Sequence, residues 1–288
     1  MKDTEIEPAL EQTFKRLKNL FRFVGKVINY ILLIYVLTFI MVFIIFLDEM
    51  EITFIVMFWL GAPLAIFIYY MLTKDVNDRI NTLYRNDFLR PEIKNLLPDW
   101  LLKTKCKSTN MQALCFVYYQ DEVGATSEGC LYKNISKYKV WVIESSLSGP
   151  LRHGLFEVFS GAVIKIETPS YNGILSCILD KSEFVPNIYC RKDRVAYKAD
   201  ENLYIYAKTS EQREKVQSIN EIKLILRYCN VHRIPLDRIC ISGHYIFVTI
   251  PYDQHFFNYS EVKDLKKFIN TFRYTYTMID DLVKFALS

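Results

Sequence analysis

The sequence lacks the short motifs that mark the common nucleotide-binding and hydrolytic enzymes. It contains no G-x-x-x-x-G-K-[ST] phosphate loop, no G-x-G-x-x-G turn and no H-E-x-x-H helix. It also has no G-x-S-x-G nucleophile elbow. Gly/Ser-rich segments, low-complexity segments and internal repeats are absent as well. These absences exclude the principal nucleotide-binding and metalloprotease signatures, and they argue against a flexible linker between domains.

Charged residues are absent from two long runs, residues 27–47 and 52–72. Hydrophobic residues make up 51% of the chain, and the two runs account for the excess over an ordinary soluble domain. A helix rises 1.5 Å per residue, so each run would cover about 30 Å, the thickness of a bilayer's hydrocarbon core. The composition therefore predicts a two-span membrane protein with one additional domain, rather than a purely soluble protein, a disordered chain or a large polytopic transporter.

The residues around the two runs predict the orientation of a helical hairpin. The acidic turn between the runs, residues 48–51, contains no Lys or Arg. Basic residues instead precede the first run, at Lys15, Arg16, Lys18, Arg22 and Lys26. The positive-inside rule then predicts a multi-pass membrane protein with both termini in the cytoplasm and the acidic turn outside.

The same basic residues lie in a stretch, residues 12–26, that has no acidic residue and has apolar residues near the helical period. This pattern predicts a basic amphipathic helix at the inner membrane interface, in contact with anionic lipid headgroups. The alternative is that these cations only set the orientation of the hairpin.

Small residues four positions apart, Gly61 and Ala65, occur in the second run. Such spacing allows another helix to approach closely. It favours packing within the hairpin, and homo-oligomerisation is the alternative.

Four regions follow from these patterns: a basic arm (1–26), a hairpin (27–72), a helical connector (73–98) and a cytoplasmic α+β domain (99–288). Within the connector, a short helix is expected from Pro91 to near Pro98. In the last region, short segments rich in β-branched and aromatic residues predict a mainly antiparallel sheet, followed by two long helices near the C-terminus. The predicted strands are residues 113–119, 138–143, 159–166, 174–179, 203–207, 239–241 and 245–250. The last two strands flank Ser242-Gly243-His244, which predicts a hairpin. Thr209 and Gln212 stand at capping-box spacing before the first of the two helices, which is expected to end near Tyr228, and Asn258 and Glu261 are expected to cap the second.

One group of residues has spacing that suits a metal: Cys229, His232, Cys240 and His244. Thiolates and imidazoles are the usual ligands of tetrahedral zinc. The favoured interpretation is that the cysteines are small buried hydrophobes and that His244 belongs to a turn. No cofactor is therefore predicted, with zinc as the alternative. The seven cysteines are odd in number and irregularly spaced, which argues against a disulfide framework.

A second group could support nucleophilic catalysis. Ser145, Ser146 and Ser148 lie in a predicted loop between Glu144 and Gly154, together with His153. A serine hydrolase needs a base within hydrogen-bond reach of the serine and an acid that orients the base. Serine-rich loops more often serve turn geometry. Ser146, His153 and Glu144 are therefore kept as candidates for an enzyme that the sequence does not otherwise indicate.

Two stretches resemble a known family. Residues 129–138, GCLYKNISKY, and residues 158–167, VFSGAVIKIE, follow a basic arm, a two-span hairpin and a helical connector. This arrangement resembles the bacterial membrane family called domain of unknown function 3137, in which a strand bearing an acidic residue, here Glu144, precedes a Phe-x-Gly strand, here Phe159-Ser160-Gly161. The resemblance implies a bacterial inner-membrane location and no particular activity.

The sequence therefore predicts a membrane-anchored cytoplasmic binding or adaptor module with an unknown protein partner. One alternative is a membrane-tethered hydrolase that uses the Ser145–Ser148 loop and His153, and another is a membrane-organising hairpin protein. Nucleic-acid binding is not expected, because the net charge is only +4 and the basic residues do not form one clear surface. Gly161 within a strand pattern indicates a bulge or a close approach of two backbones.

Overall fold

A computed structural model describes residues 8–45, 67, 70–71, 73–75, 77–103, 124–151, 154–168, 176–180, 195–200, 203–207, 209–253, 256–257 and 264–288. The chain divides into two units, residues 1–91 and residues 92–288.

The first unit is helical where it is described. Helix α1 spans Pro8–Ile45. Further along the chain, helical residues 77–83 lead into a π-helical turn, Tyr84–Leu89, which continues directly into helix α2, Arg90–Leu96. The π-helical turn is closed by the Arg90 N–H, which donates to the carbonyl of Arg85 five residues earlier. The short helix predicted around Pro91 is confirmed, although no loop separates it from the preceding helix.

The predicted membrane-spanning hairpin is contradicted. Crossing a bilayer as a helix requires about 20 consecutive, predominantly apolar residues. Among the described residues, no helix combines the necessary length with the necessary hydropathy. The described residues of the basic arm, 8–26, and of the first run, 27–45, were predicted as separate regions but belong to the single helix α1. Most of the second run lies outside the described residues. This finding contradicts three predictions: the fold class with a transmembrane hairpin, the multi-pass membrane class and the inner-membrane location.

Within its described residues, the second unit is built on a nine-stranded sheet in which every pairing is antiparallel. Its strands are β1 (Leu101–Lys103), β2 (Gly124–Ile135), β3 (Tyr138–Leu151), β4 (Gly154–Glu167), β5 (Ser176–Asp180), β6 (Val195–Asp200), β7 (Leu203–Ala207), β8 (Arg238–Ser242) and β9 (Tyr245–Pro251). Their order across the sheet is β1-β2-β3-β4-β9-β8-β5-β7-β6. The predicted mainly antiparallel sheet agrees with this architecture.

The strand predictions differ most from the structure around residue 144. The predicted strand 203–207 coincides with β7. The predicted strand 138–143 is only the first half of β3, which continues through the serine-rich segment that was predicted as a loop. β2 was not predicted, because its residues 124–129 are small or polar and contain two glycines. The predicted strand 113–119 lies outside the described residues.

Strands β8 and β9 form the predicted hairpin. Ser242 pairs with Tyr245 across a two-residue turn. The first turn residue, Gly243, has a φ of +58°, a left-handed conformation that glycine adopts without steric cost.

The sequence predicts two helices in this unit after β7. The described residues form three there, because the first predicted helix is divided into two. Helix α3 spans Ser210–Ser218, and helix α4 spans Asn220–His232. Thr209 caps α3 as predicted, because its hydroxyl accepts a hydrogen bond from the Gln212 N–H at 3.2 Å. The predicted single helix is divided at Ile219, whose ψ of 112° leaves the helical region.

The last helix, α5, spans Leu265–Leu287. Its N-cap is Asp264, whose carboxylate accepts a hydrogen bond from the Lys267 N–H at 3.1 Å. The predicted cap at Asn258 lies outside the described residues. The apolar residues of α5 recur at helical spacing and are buried along one side, at Phe268, Ile269, Phe272, Tyr276, Ile279, Leu282, Val283 and Ala286.

The contacts of the helices distinguish the two faces of the sheet. Lys133 of β2 pairs with Asp280 of α5 at 3.2 Å, and the Tyr138 hydroxyl of β3 donates to Glu221 of α4 at 2.5 Å. Because successive side chains of a strand point to opposite faces, the neighbouring residues Tyr132 and Lys139 lie on the other side. We call the side with Lys133 and Tyr138 the helix face and the other side the opposite face.

Candidate functional site

Glu144, a predicted catalytic acid, lies on the helix face of β3 and is completely buried. Its Oε1 accepts a hydrogen bond from the Phe256 N–H at 2.6 Å, and its Oε2 accepts one from the Phe257 N–H at 2.7 Å. The Tyr252 hydroxyl donates to Oε1 at 3.3 Å. A buried carboxylate is tolerated when it is hydrogen-bonded in this way. Glu144 therefore fixes the chain that follows β9.

Two tyrosines surround the Glu144 carboxylate. Burial raises the pKa of Tyr252 well above its ordinary value, and the neighbouring Tyr276 and Glu144 raise it further. Burial, followed by the charge of Glu144, likewise raises the pKa of Tyr276. Both hydroxyls are therefore protonated and uncharged at neutral pH, so they can lie beside a carboxylate without charge repulsion.

The serines predicted for catalysis lie within β3. Ser145 is completely buried on the opposite face, and its hydroxyl has no hydrogen-bond partner among the described residues. Ser146 returns to the helix face, is half-buried and pairs with Ser160 of β4. Ser148 pairs with Glu157, and His153 lies outside the described residues. The described residues thus place Glu144 and Ser146 on the same face, but they give neither one the base that a hydrolase needs.

The four residues predicted as possible metal ligands occupy different environments. Cys229 of α4 and Cys240 of β8 are buried free thiols. His232 is exposed at the end of α4, with its ring 4.2 Å from that of Tyr228, and His244 is exposed in the β8–β9 turn. Within the described part of the chain, no three His, Cys, Asp or Glu side chains form a group that could hold a metal ion. Zinc binding receives no support from these positions.

The basic residues predicted at a membrane interface all lie on α1. Lys18 is half-buried, and Lys15, Arg16, Arg22 and Lys26 are exposed. Their contact with anionic lipid stays a prediction. Gly61 and Ala65, predicted for helix packing, lie outside the described residues.

A different group of side chains crosses the opposite face of the sheet. We call it the lysine–aromatic row, and it consists of one residue from each of five neighbouring strands: Lys103, Tyr132, Trp141, Lys165 and Tyr245. The register brings the three central members together, since Tyr132 pairs with Trp141 and Trp141 pairs with Lys165. The two end members are displaced along their strands, because Lys103 pairs with Cys130 and Tyr245 pairs with Glu167. The row therefore crosses the strands obliquely, from β1 at one edge to β9 in the middle of the sheet.

Contacts within the row alternate between cations and rings. The Lys103 ammonium lies 4.3 Å from the centre of the Tyr132 ring. The rings of Tyr132 and Trp141 are 5.3 Å apart. The Lys165 ammonium lies between two rings, 4.9 Å from that of Trp141 and 3.9 Å from that of Tyr245. Each distance is within the range of a cation–π or aromatic contact.

Exposure varies along the row. Lys165 is only 6% exposed, whereas Tyr132, Trp141 and Tyr245 are half-buried and Lys103 is exposed. Burial lowers the pKa of Lys165, and the nearby charge of Glu167 opposes that shift. Lys165 is therefore buried between two partly exposed rings, and Lys103 is exposed at the end of the row.

Two polar contacts border the row. Lys139 pairs with Glu167 at 3.1 Å, and the Tyr132 hydroxyl donates to Asn134 Oδ1 at 2.5 Å. The polar groups around the rings therefore include lysines and a carboxylate.

Sequence reasoning did not find this row, because its members are far apart in the chain and only the register brings them together. A signal was present in β3, where Lys139 and Trp141 alternate with the apolar residues Tyr138, Val140 and Val142. That alternation indicates a strand with two different faces, but it does not show which strands are neighbours.

The contact between Tyr138 and Glu221 predicts a response of stability to alkaline pH. Burial, followed by the hydrogen bond with Glu221, raises the pKa of Tyr138 from 10.0 to about 12. As pH rises from about 10 to about 12, the unfolded chain loses this proton before the folded chain does, so stability falls with pH. Tyr138→Phe is expected to show a shallower fall in the free energy of unfolding across this range, measured by urea denaturation. Parallel curves for the two proteins would contradict the assignment.

Comparisons with known proteins give little further information. No protein-family model matches the chain, and no curated protein matches it. Among solved structures, it is similar to the crystal structure of the mycobacterial trehalose monomycolate transport factor A, TtfA. The sequences are 10% identical, the TM-score is 0.38, and the alignment covers 69% of this chain and 95% of that chain. This likeness is too weak to support an inference about function.

Proposed function

We propose that the chain is a non-catalytic binding module, an adaptor that holds a protein partner on the opposite face of its sheet. The lysine–aromatic row is the observation that carries this proposal. Tyr and Trp are enriched at protein-binding surfaces, where their apolar rings are buried by the partner and their polar groups form hydrogen bonds. The row lies on ordered strands, so its rings are already positioned before a partner arrives.

The residues predicted for catalysis support the same proposal. The Glu144 carboxylate accepts two backbone N–H groups and is shielded from solvent. Ser145 is buried as well. A catalytic acid or nucleophile must reach its substrate, and neither group does so. The hydrolase alternative thus loses two of its components, and the hairpin alternative depends on membrane spans that the described helices do not provide.

The resemblance to domain of unknown function 3137 is compatible with a binding role, since it implies no reaction. It stays a proposal. Of the residues that carry the resemblance, Gly161 pairs with Pro251, the last residue of β9, and Glu144 binds Phe256 and Phe257 in the segment that follows β9.

Partner capture by the full chain tests the proposed function. A Trp141→Ala/Tyr245→Ala variant removes the central rings of the row, and Tyr274→Ala removes an aromatic side chain that is 61% exposed on α5. With the tagged proteins used as bait in an extract of the source cells, we expect the double variant to lose about tenfold or more of a specifically retained partner. Tyr274→Ala should retain the partner fully.

Thermal unfolding of each bait establishes that the sheet is folded. Equal capture by wild type and the folded double variant would contradict the proposal. Activity profiling of wild type and His153→Ala addresses the alternative, because hydrolysis that disappears on this substitution would identify an enzyme.

A further inference from the structure

We infer that helix α1 pairs with α1 of a second copy of the chain, in antiparallel orientation. This inference is separate from the proposed function, because it concerns the first unit of the chain rather than the sheet. Three properties of α1 carry it: the spacing of its exposed apolar residues, the area that they present and the distribution of its basic residues.

Exposed apolar residues of α1 recur at the spacing of a coiled coil. Seven of them are separated by alternating steps of four and three residues and are between 39% and 65% exposed: Phe23, Val27, Tyr30, Ile34, Leu37, Met41 and Ile44. We call these seven residues the α1 seam. Such steps average 3.5 residues, the period at which two helices stay in contact along their length. The seam therefore matches a second helix with the same repeat.

The exposed area of the seam is sufficient for a stable interface. At roughly 200 Å² per large side chain, the exposed fractions of the seven residues amount to roughly 700 Å² in each copy. A standard interface buries about 800 Å² on each partner. Leu33 and Ile40, which are 52% and 46% exposed, each precede a seam residue and widen the apolar side. Exposed apolar patches of this size mark interaction sites.

A second copy of α1 presents a complementary seam. When two copies lie antiparallel about position 32, Phe23 of one copy lies opposite Met41 of the other. The same alignment places Val27 opposite Leu37 and Tyr30 opposite Ile34. Six of the seven seam residues thus meet another seam residue, and the arrangement is identical for both copies, as two-fold symmetry requires.

The basic residues of α1 favour the antiparallel orientation. All five lie in the first half of the helix, at Lys15, Arg16, Lys18, Arg22 and Lys26. Residues 12–47 contain no acidic residue that could compensate them. In a parallel pair the two basic sets would lie side by side at the helix-packing distance of about 8–10 Å and repel each other.

The antiparallel pair separates these charges along the helix axis. Lys26, the basic residue nearest to the centre, then lies opposite position 38. The two copies of Lys26 are about 18 Å apart along the axis at a rise of 1.5 Å per residue. That separation exceeds the screening length of about 8 Å at physiological ionic strength.

Sedimentation velocity of the full chain, over a range of protein concentrations, measures the association. Leu37→Asp places a charge in the seam. Val36→Asp places the same charge at the adjacent residue, which is 43% exposed and lies outside the seam. We expect Leu37→Asp to weaken dimerisation by about tenfold or more, because pairing would bury a charge. Val36→Asp should dimerise with a Kd within about twofold of wild type.

Circular dichroism establishes that α1 is helical in each protein, so a loss of dimer reports the seam itself. A wild-type chain that stays monomeric at every concentration would overturn the inference. Equal dimerisation by wild type and Leu37→Asp would do so as well.

Photocrosslinking tests the orientation. Phe23→p-benzoylphenylalanine places a reactive ketone in the seam, and mass spectrometry of the crosslinked dimer identifies the residue that it reaches. We expect Met41 of the second copy. Positions 23 and 41 of one helix are about 27 Å apart, so this crosslink cannot form within a single copy. Crosslinks to residues 20–27 of the second copy would show a parallel pair and overturn the antiparallel assignment.

Phosphatidylglycerol vesicles address the other possible occupant of an exposed apolar helix, a lipid surface. If α1 pairs with itself, the crosslink between positions 23 and 41 persists when vesicles are added. Loss of this crosslink, together with flotation of the monomeric chain with the vesicles, would overturn the inference in favour of lipid binding.

Discussion

Replacing Glu144 with Ala is expected to lower the free energy of unfolding by about 3–5 kcal/mol, because two buried N–H groups lose their acceptor. Those groups belong to Phe256 and Phe257, and Glu144 bonds them at 2.6 and 2.7 Å. The cavity left by the side chain adds to the loss. Urea denaturation followed by far-ultraviolet circular dichroism measures the change.

Glu167→Ala is the control for this prediction. Glu167 lies on neighbouring β4, and its bond with Lys139 is at the surface, with side-chain exposures of 33% and 54%. Its removal should cost less than about 1 kcal/mol. Equal losses for the two variants would contradict a structural role for Glu144. A Glu144→Gln protein that kept full stability but lost a measured hydrolysis would restore the catalytic interpretation.

Gly161→Ala is expected to cost about 3 kcal/mol or more, because a Cβ at this position overlaps backbone rather than a movable side chain. The added atom would lie 2.2 Å from the Ile250 carbonyl oxygen and 2.9 Å from the Pro251 Cα. The φ of Gly161, +153°, is also one that residues with a Cβ rarely adopt. Thermal and urea denaturation both report the loss.

Gly243→Ala provides the comparison with conformational strain alone. Gly243 has a φ of +58°, but a Cβ there meets no atom within 4 Å. The expected cost is about 1–2 kcal/mol, the penalty for a left-handed conformation. If Gly161→Ala is no more destabilising than Gly243→Ala, then the backbone approach at β4 and β9 does not constrain the fold.

Local sequence signals predicted the local structure well. Thr209 and Gln212 stand at capping-box spacing and make the expected hydrogen bond. The β8–β9 hairpin follows from two apolar strands around Gly243. The predicted close backbone approach at Gly161 is confirmed, because a Cβ at this position would overlap the Ile250 carbonyl oxygen. Each of these features depends on a few neighbouring residues or on a single backbone requirement.

Features that depend on distant contacts were not predicted correctly. Glu144 was placed at the start of a predicted loop, whereas it lies within β3 and its hydrogen-bond partners are 112 and 113 residues away. The break at Ile219 was missed because Val216 and Ile222 continue the apolar pattern across it, and both are buried. The membrane prediction rested on hydropathy over sequence windows, a signal that does not specify which helices form.

The candidate site shows the same limit. Tyr132 and Trp141 could be recognised as residues of alternating strands, but Lys165 and Tyr245 join them only through the order β2-β3-β4-β9. No motif of fixed spacing describes such a row. Its chemistry becomes visible when strand register is known, because lysines and aromatic rings of separate strands then lie side by side.

The position of β9 has a consequence for how the protein is made. β9 lies between β4 and β8, so it joins one group of strands, β1 to β4, to the other, β8, β5, β7 and β6. During synthesis, the edge of β4 has no neighbour on that side until residues 245–251 have left the ribosome. Unpaired strand edges attract other chains, and nascent domains with such long-range pairings fold late. We therefore expect the nascent chain to depend on chaperones until β9 has emerged.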